Sequence, residues 1–433
     1  MHYNIVIDLF FTIKHSFPTD ALRTDVLFNH PSRSLNVKVL VINSGSSSLK
    51  FTLFDMTDKS ILAKGLVERI GMDNPKMVYQ PKGEKFEEIL TIKNHSEALK
   101  SVCDKLVNPQ NGVLKSLSEV EAIGHRVLHG GMKYTAPIIV NEAVKDGIRA
   151  CIPLGPLHNP ANLGGIEACE QVFPGVPNVA VFDTAFHQTM GPEAYMYAIP
   201  REYYEKYSVR KYGFHGTSHK FVYYNTCEFL GLDPAKAKII NCHLGNGSSL
   251  CAVNGGKVLD TSMGLTPLMG LVMGTRCGDM DPAVVPFLMK MTGMTAEQMD
   301  TMMNKKSGFL GVSGISSDMR DIEAARDKGD KNAKEAYDMF IHRLTHYIGG
   351  YYLLLGGCDA ISFTGGIGEN GIATRKIIAQ KLAVLGATFD EEANNCRGKQ
   401  VVFSKPDSKF KLVVTPTNEE LMIAMETVKL TAK

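Results

Sequence analysis

NSGSSSLKF (43–51) follows the apolar run Val37 to Ile42, broken only by Lys38, and LGNGSSLCAV (244–253) follows Ile239 and Ile240 in a similar way. Each stretch reads as a strand that meets a small, hydroxyl-rich turn and leaves as a second strand, Leu49 to Phe54 in the first and Leu250 to Val253 in the second. Glycine lets the backbone approach an anion closely, and successive amide donors beside serine hydroxyls form a concave surface suited to phosphate oxygens. Either turn alone is an ordinary serine-rich hairpin. The pair suggests two related halves facing one polyphosphate. The sequence contains no G-x-x-x-x-G-K-[ST] motif, so phosphate binding falls to the hairpins rather than to a P-loop.

The rest of the composition fits an ordinary soluble globular protein. Its 433 residues are 44% hydrophobic and 21% charged, and on length two or three domains are expected. A net charge of +2, with lysines and arginines interleaved among acids, disfavours nucleic acid as a partner. The nine cysteines are scattered, odd in number and without a C-x-x-C pair, the pattern of reduced thiols in a cytosolic protein. His125 with His129 and His215 with His219 are close pairs, but both lack the glutamate of H-E-x-x-H, so a zinc site is not expected. No apolar stretch is long enough to span a bilayer, and a soluble, cytoplasmic protein with no membrane partner is the expectation. Residues 1–36, with an apolar run from Asn4 to Ile13 interrupted by Asp8, make a poor signal peptide and read as an N-terminal extension, either a disordered tail or the product of an upstream start-codon choice.

Strand-like and helix-like segments alternate, which predicts an α/β architecture. Buried strands are expected at Val37 to Ile42, Val179 to Phe182, Lys238 to Asn241 and Asp359 to Phe363. Helices are expected at Ser96 to Leu106, Pro282 to Met291, Asn332 to Leu355 and Thr374 to Leu385. Gly349 and Gly350 inside the third of these predict a break or a close packing contact there. TGGIGENG (364–371) carries a formal G-x-G-x-x-G between a strand and a helix. Too little chain follows it for the remaining strands of a dinucleotide fold, so it is read as a glycine turn under an adenosine or a phosphate.

Between the hairpins lie GHRVLHGG (124–131), PLGPLHNP (153–160), VFDTAFHQTM (181–190) and YGFHGTSHK (212–220), followed by MGTRCGDMDP (273–282). Singly, each has a bland reading: an ion pair for Arg126, a loop histidine for His158, a helix cap for Asp183, a packed residue for His215. Together with Arg276 they make a set of two arginines and a histidine that could surround a transferring phosphoryl group, where charge spreads over three equatorial oxygens.

In order and approximate spacing, NSGSSSLK, GHRVLHGG, FDTAFHQTM, YGFHGTSHK, HLGNGSS, GLTPLMGLVMGTRCGD, TGGIGEN and TNEE resemble the acetate kinase family from Val37 to the C-terminus. The resemblance implies two duplicated ribonuclease H-like domains of the actin-like ATPase fold with an interdomain cleft. The domains would be 37–183 plus 419–433 for acyl substrate and phosphate, and 184–418 for nucleotide. It implies reversible transfer of the ATP γ-phosphoryl group to acetate, giving acetyl phosphate and ADP, with magnesium (manganese as the alternative) and a homodimer. By matched position, Asn43 and Glu419 would hold the metal and Lys50 would contact nucleotide. Arg126 and His158 would bind substrate. Asp183, His215 and Arg276 would act with Arg126 in catalysis. His243, Leu244, Gly245, Asn246, Gly247, Asp318, Met319, Arg320, Gly366, Ile367, Gly368, Glu369 and Asn370 would line ATP. Met269 departs from the family pattern, which has a glutamate in PLMGL. Propionate, butyrate or pyrophosphate-dependent acetate kinases are alternatives on the same fold, and a nucleotide-gated binding protein is a rival from another class.

Overall fold

Val39, Leu40, Val41 and Ile42 are all buried, as expected of a strand covered on both faces, and they form the centre of β1 (Lys38–Gly45). The computed structural model describes residues 37–432, so the expected N-terminal extension lies outside the described residues.

The chain turns at the first hairpin into β2 (Ser48–Asp55) and continues through β3 (Ser60–Glu68), β4 (Lys76–Pro81), β5 (Phe86–Ile89), β6 (Val120–Val127), β7 (Ile138–Ile139) and β8 (Asn178–Phe182). These strands form one sheet in the order β5-β4-β3-β2-β1-β6-β8-β7. A second sheet is built from β9 (Lys238–Leu244), β10 (Ser248–Asn254), β11 (Lys257–Thr261), β12 (Ala360–Thr364), β13 (Val401–Val402) and β14 (Lys411–Val414), in the order β11-β10-β9-β12-β14-β13. The five central strands repeat one plan. In the first sheet β1 runs antiparallel to β2 and β2 to β3, while β6 and β8 run parallel to β1. In the second, β9, β10 and β11 are antiparallel neighbours and β12 and β14 run parallel to β9. This is the duplicated ribonuclease H-like topology, with each hairpin joining the first two strands of its half.

Two helices tie the halves together. The Glu419–Thr431 helix lays Ile423 and Ala424 against Val39, Val41, Val179 and Val181 of the first sheet. The Gly216–Leu230 helix packs on it and also against β9, and Lys220 Nζ donates to Glu426 Oε1 at 2.5 Å across their contact. Each helix begins at the same end of the molecule as the C-termini of the inner parallel strands, where α/β sheets place their ligands.

The long helix runs unbroken over Lys331–Leu354. Gly349 and Gly350 neither break it nor pack closely, since a methyl group added at either would meet open space. The buried row along the same helix, Ala333, Ala336, Tyr337, Phe340, Ile341, Leu344 and Ile348, supplies enough apolar contact to offset the ~1 kcal/mol that each glycine costs a helix.

Candidate functional site

Parallel pairing fixes which residues end up side by side. Ile42 is level with His125 and Arg126 with Val181, so Asn43, Arg126 and Asp183 leave β1, β6 and β8 at one edge of the first sheet. In the second sheet Thr364 is level with His243, which brings the TGGIGENG segment beside the second hairpin.

Arg126 and Asp183 form a fork. Arg126 Nε donates to Asp183 Oδ1 at 3.1 Å and Oδ2 at 3.2 Å, and Nη2 donates to Oδ2 at 2.6 Å. The Asp183 carboxylate is fully buried while the arginine side chain is 24% exposed, so the aspartate is the anchor and the arginine reaches outward. Asp183 raises the Arg126 pKa above its ordinary value, and Glu419 adds to the effect. Glu419 Oε2 lies 3.9 Å from Arg126 Nε. Burial, with Asp183 and Glu420 nearby, pushes the Glu419 carboxyl up to about 7 even though Arg126 and Lys50 oppose the shift. Lys50 pairs with Glu420. His158 is half-buried at the start of the Asn159–Val172 helix, and its pKa is lowered by burial and then by Arg126.

Across from this cluster, His215 begins the Gly216–Leu230 helix in a left-handed conformation, φ 57°. The Gly216 amide donates to Asp183 O at 2.9 Å, and a Cβ on Gly216 would come within 2.1 Å of that oxygen, so only glycine lets the helix start against Asp183. The His215 ring stacks on His243 with centroids 4.2 Å apart. Burial and the neighbouring imidazoles hold His215 well below the usual histidine range, and burial lowers His243 to about 4. Both rings are therefore neutral near pH 7.

The second hairpin is the meeting point. A Cβ built on Gly247 would lie 3.4 Å from Arg276 Nη1 and 3.4 Å from His215 Nε2, so guanidinium and imidazole converge on bare backbone. Arg276 Nη1 also donates to Pro267 O at 3.1 Å. Asn246 O accepts from the Gly274 amide at 3.0 Å, and a Cβ on Gly274 would be 2.9 Å from Ser317 O, which puts the 318–320 segment next to the loop. On the other side, a Cβ on Gly245 would be 3.9 Å from the Gly366 amide. The chain thus gathers the Arg276, His215, His243, Asp318 and Gly366 segments around one turn.

The hairpin serines do not behave as the sequence suggests. Ser248 Oγ closes its own turn, donating to Gly245 O at 2.9 Å. Ser249 Oγ sits between His215 Nδ1 at 2.9 Å and His219 Nε2 at 2.8 Å. Both are fully buried, so phosphate oxygens would meet glycine amides there rather than these hydroxyls. TGGIGENG is likewise no open turn: Gly365–Asn370 is helical. Glu369 Oε1 accepts from the Gly365 amide at 3.0 Å and the Thr417 amide at 3.3 Å, and Asn370 Nδ2 donates to Gly366 O. The side chains of Leu244 and Met319 are buried in the core, with Ile367 packed against it and Gly368 buried as well. Asp318 and Arg320 pair with each other at 2.6 Å, the arginine 88% exposed.

With this geometry in place, relatedness can be stated. The Acetokinase family model matches residues 38–425. The chain belongs to that family. It is similar to the acetate kinase of Finegoldia magna, 57% identical over 394 residues that cover 91% of this chain and 100% of that one. Among solved structures it matches Porphyromonas gingivalis acetate kinase (TM-score 0.88, 45% identity, covering 91% of this chain and 99% of that one). It also matches a propionate kinase from Francisella tularensis (TM-score 0.85, 43% identity, covering 91% and 100%). Membership of the acetokinase family agrees with the duplicated actin-like fold. No helix among the described residues is long and apolar enough to cross a membrane.

Sequence reasoning does not single out Ser218, Thr417 or Glu420; it takes Ser249 only as one of the phosphate-facing hairpin serines and His219 only as half of a histidine pair without a zinc motif. Ser218 Oγ links His243 Nδ1 at 2.7 Å to Thr417 Oγ1 at 2.8 Å. A signal did exist for His219, which lies one helical turn beyond His215, and for Glu420, next to Glu419 in TNEE. Met269 touches Tyr197, whose hydroxyl lies 3.7 Å from its sulfur.

Proposed function

We propose that this protein catalyses reversible transfer of the γ-phosphoryl group of ATP to acetate, forming acetyl phosphate and ADP. The convergence of His215 and Arg276 on Gly247, opposite an arginine braced by a buried carboxylate, is the observation that carries the reading. A carboxylate oxygen of acetate bonds to the γ-phosphorus as the bond to the β–γ bridging oxygen breaks in line. Acetate is ionised at neutral pH, so no proton need be removed. Asp183 therefore acts by holding Arg126: its oxygens occupy Nε and Nη2, which leaves Nη1 for the substrate carboxylate. Arg276 and the neutral His215 donate to oxygens whose charge rearranges during transfer, and donors fixed beforehand cost no reorganisation. The 244–247 and 366–370 backbones, with 318–320, would hold the nucleotide, and Lys50 and His158 would border it and the acyl group respectively.

Magnesium, or manganese, would be held by Asn43 and Glu419 together with nucleotide phosphates. The donors fit: carboxylates crowd around Glu419 and burial raises its pKa, and a hard dication with oxygen ligands would relieve that crowding. Among the described residues no group of three or more His, Cys, Asp or Glu side chains is set to hold a metal alone, consistent with a cation that arrives with phosphates. When bound it would offset the negative charge of the phosphates.

The halves 37–183 with 419–433 and 184–418 would close on their substrates and exclude water. Two copies would pair through the Val284–Thr292 helix, an apolar helix with no buried residue and with Phe287 61% and Met291 66% exposed. Nine free cysteines fit a reducing cytoplasm. Propionate is the second reading, favoured by the likeness to the Francisella tularensis enzyme. One methylene separates substrates by only about 1–3 kcal/mol. Purified protein with Mg-ATP and acetate, propionate or butyrate, trapped with hydroxylamine, tests both: acetate should give the highest kcat/KM, and no acyl phosphate from any acid refutes the proposal.

A further inference from the structure

We infer that Ser249 is a positioning residue that sets the tautomer of His215, within a buried chain that runs from His219 through Ser249 to His215. The inference rests on the phosphoryl-facing role proposed for His215. Its basis is a single hydroxyl held between two imidazole nitrogens, His215 Nδ1 at 2.9 Å and His219 Nε2 at 2.8 Å.

A serine hydroxyl carries one hydrogen and two lone pairs, and a neutral imidazole one N–H. Among the described residues only the two rings reach Ser249 Oγ, so if both donated to it the serine hydrogen would be buried without an acceptor, and the chain points in one of two directions. In one, His219 Nε2–H donates to Ser249 Oγ, Ser249 donates to His215 Nδ1, and the His215 proton is left on Nε2. In the other, His215 Nδ1–H donates to Ser249, Ser249 donates to His219 Nε2, and His215 Nε2 is a bare lone pair. Two observations choose the first direction. Among the described residues His219 Nδ1 is buried without a partner, and the second direction would require an N–H there, a kind of orphan that folded proteins avoid more strictly than an unused acceptor. His215 Nε2 is also the atom beside Arg276 Nη1 at Gly247, where a lone pair would oppose phosphoryl oxygens and an N–H would donate to them.

The surroundings hold this arrangement in place. His219 and Ser249 are fully buried, so water does not compete for the chain, and the His243 ring stacked at 4.2 Å fixes the plane of His215. The bond made by one ring nitrogen decides which proton the other carries. Ser249 stands on β10, directly after the turn, so the strand that shapes the phosphate loop also orients the donor that faces it.

The test combines variants with a spectroscopic measurement. Ser249→Ala should lower kcat about tenfold by freeing the ring to adopt either tautomer, a fraction of the 10²–10³ that one lost donor costs, while KM for ATP and acetate stays near that of the parent. Ser249→Thr, which keeps the hydroxyl, should restore most of the rate. In a His215→Ala background, Ser249→Ala should cost nothing further. In the unsubstituted protein labelled with 15N-histidine, long-range 15N–1H correlations should place the His215 proton on Nε2. A His215 proton on Nδ1, an undiminished kcat in Ser249→Ala, or an equal loss in the His215→Ala background would each overturn the inference. If Ser249→Ala does not fold, the tautomer measurement decides alone. A His215→Ala variant with full activity would instead sink the role proposed for His215.

Discussion

Asp183→Asn removes the charge that holds Arg126 while leaving the shape of the side chain almost unchanged. The parent fork comprises three contacts of 2.6 to 3.2 Å from the guanidinium to a fully buried carboxylate. An amide keeps one acceptor oxygen and turns an NH2 group toward the other arginine donor, so about one charge-assisted hydrogen bond is lost, worth roughly 1.5–3 kcal/mol. Glu419, 3.9 Å from Arg126 Nε, is the nearest alternative anion, and the arginine should swing toward it. If the loss falls mainly on transition-state geometry, about 2–3 kcal/mol corresponds to a fall of roughly 10²-fold in kcat/KM for acetate. Binding of a non-hydrolysable ATP analogue, measured by calorimetry, should change little, because the nucleotide segments gather around the second hairpin. Hydroxamate trapping of acyl phosphate gives kcat and KM. An Asp183→Asn enzyme with parental kcat/KM for acetate would refute the view that this carboxylate acts through Arg126. A loss confined to ATP affinity would refute it equally.

Three further outcomes are expected. Gly247→Val places methyl groups against His215 Nε2 and Arg276 Nη1, which a Cβ alone would meet at 3.4 Å; kcat should collapse while circular dichroism stays native, and an active variant would show that the two donors do not converge there in the working enzyme. His125 is buried against Asn178, with Nε2 2.7 Å from Oδ1, and burial lowers its pKa to about 4. The unfolded chain takes up that proton below its usual value of about 6.5 while the folded one does not, so stability should fall as pH drops from about 6.5 to 4, by up to ~3 kcal/mol from this residue. Urea midpoints for parent and His125→Gln across that window check the sign, and parallel pH dependences would contradict it. Lys220→Met strands Glu426, 4% exposed, and should cost about 3–5 kcal/mol, whereas Lys220→Met with Glu426→Leu should recover most of it; additive losses in urea unfolding would mean the pair is not coupled.

The fold was legible because its signals are local. A run such as Val39 to Ile42 has no polar face and must be covered on both sides, and the repeat of strand, glycine-serine turn and strand marks two halves in the sequence itself. Arg126, Asp183, His215 and Arg276 stand out only as a set, because ionisable side chains recur among glycines, prolines and aromatics between the two hairpins, whereas each alone has an ordinary structural reading. Gly349 and Gly350 misled for the opposite reason. Propensity is a weak local term, and the buried apolar row of the long helix outweighs it.

What the sequence by itself determined, then, was the duplicated topology and the inventory of chemically capable residues, since backbone periodicity and turn chemistry act over a few positions. Only the tertiary structure decided how those residues are shared out. Parallel register carries Arg126 to Asp183 across 57 positions, and a left-handed start at His215 turns its ring onto Ser249. Ser248 and Ser249, which look like phosphate ligands in the second hairpin, are spent inside the protein, because a buried hydroxyl tends to satisfy its nearest polar neighbours before it can serve a substrate.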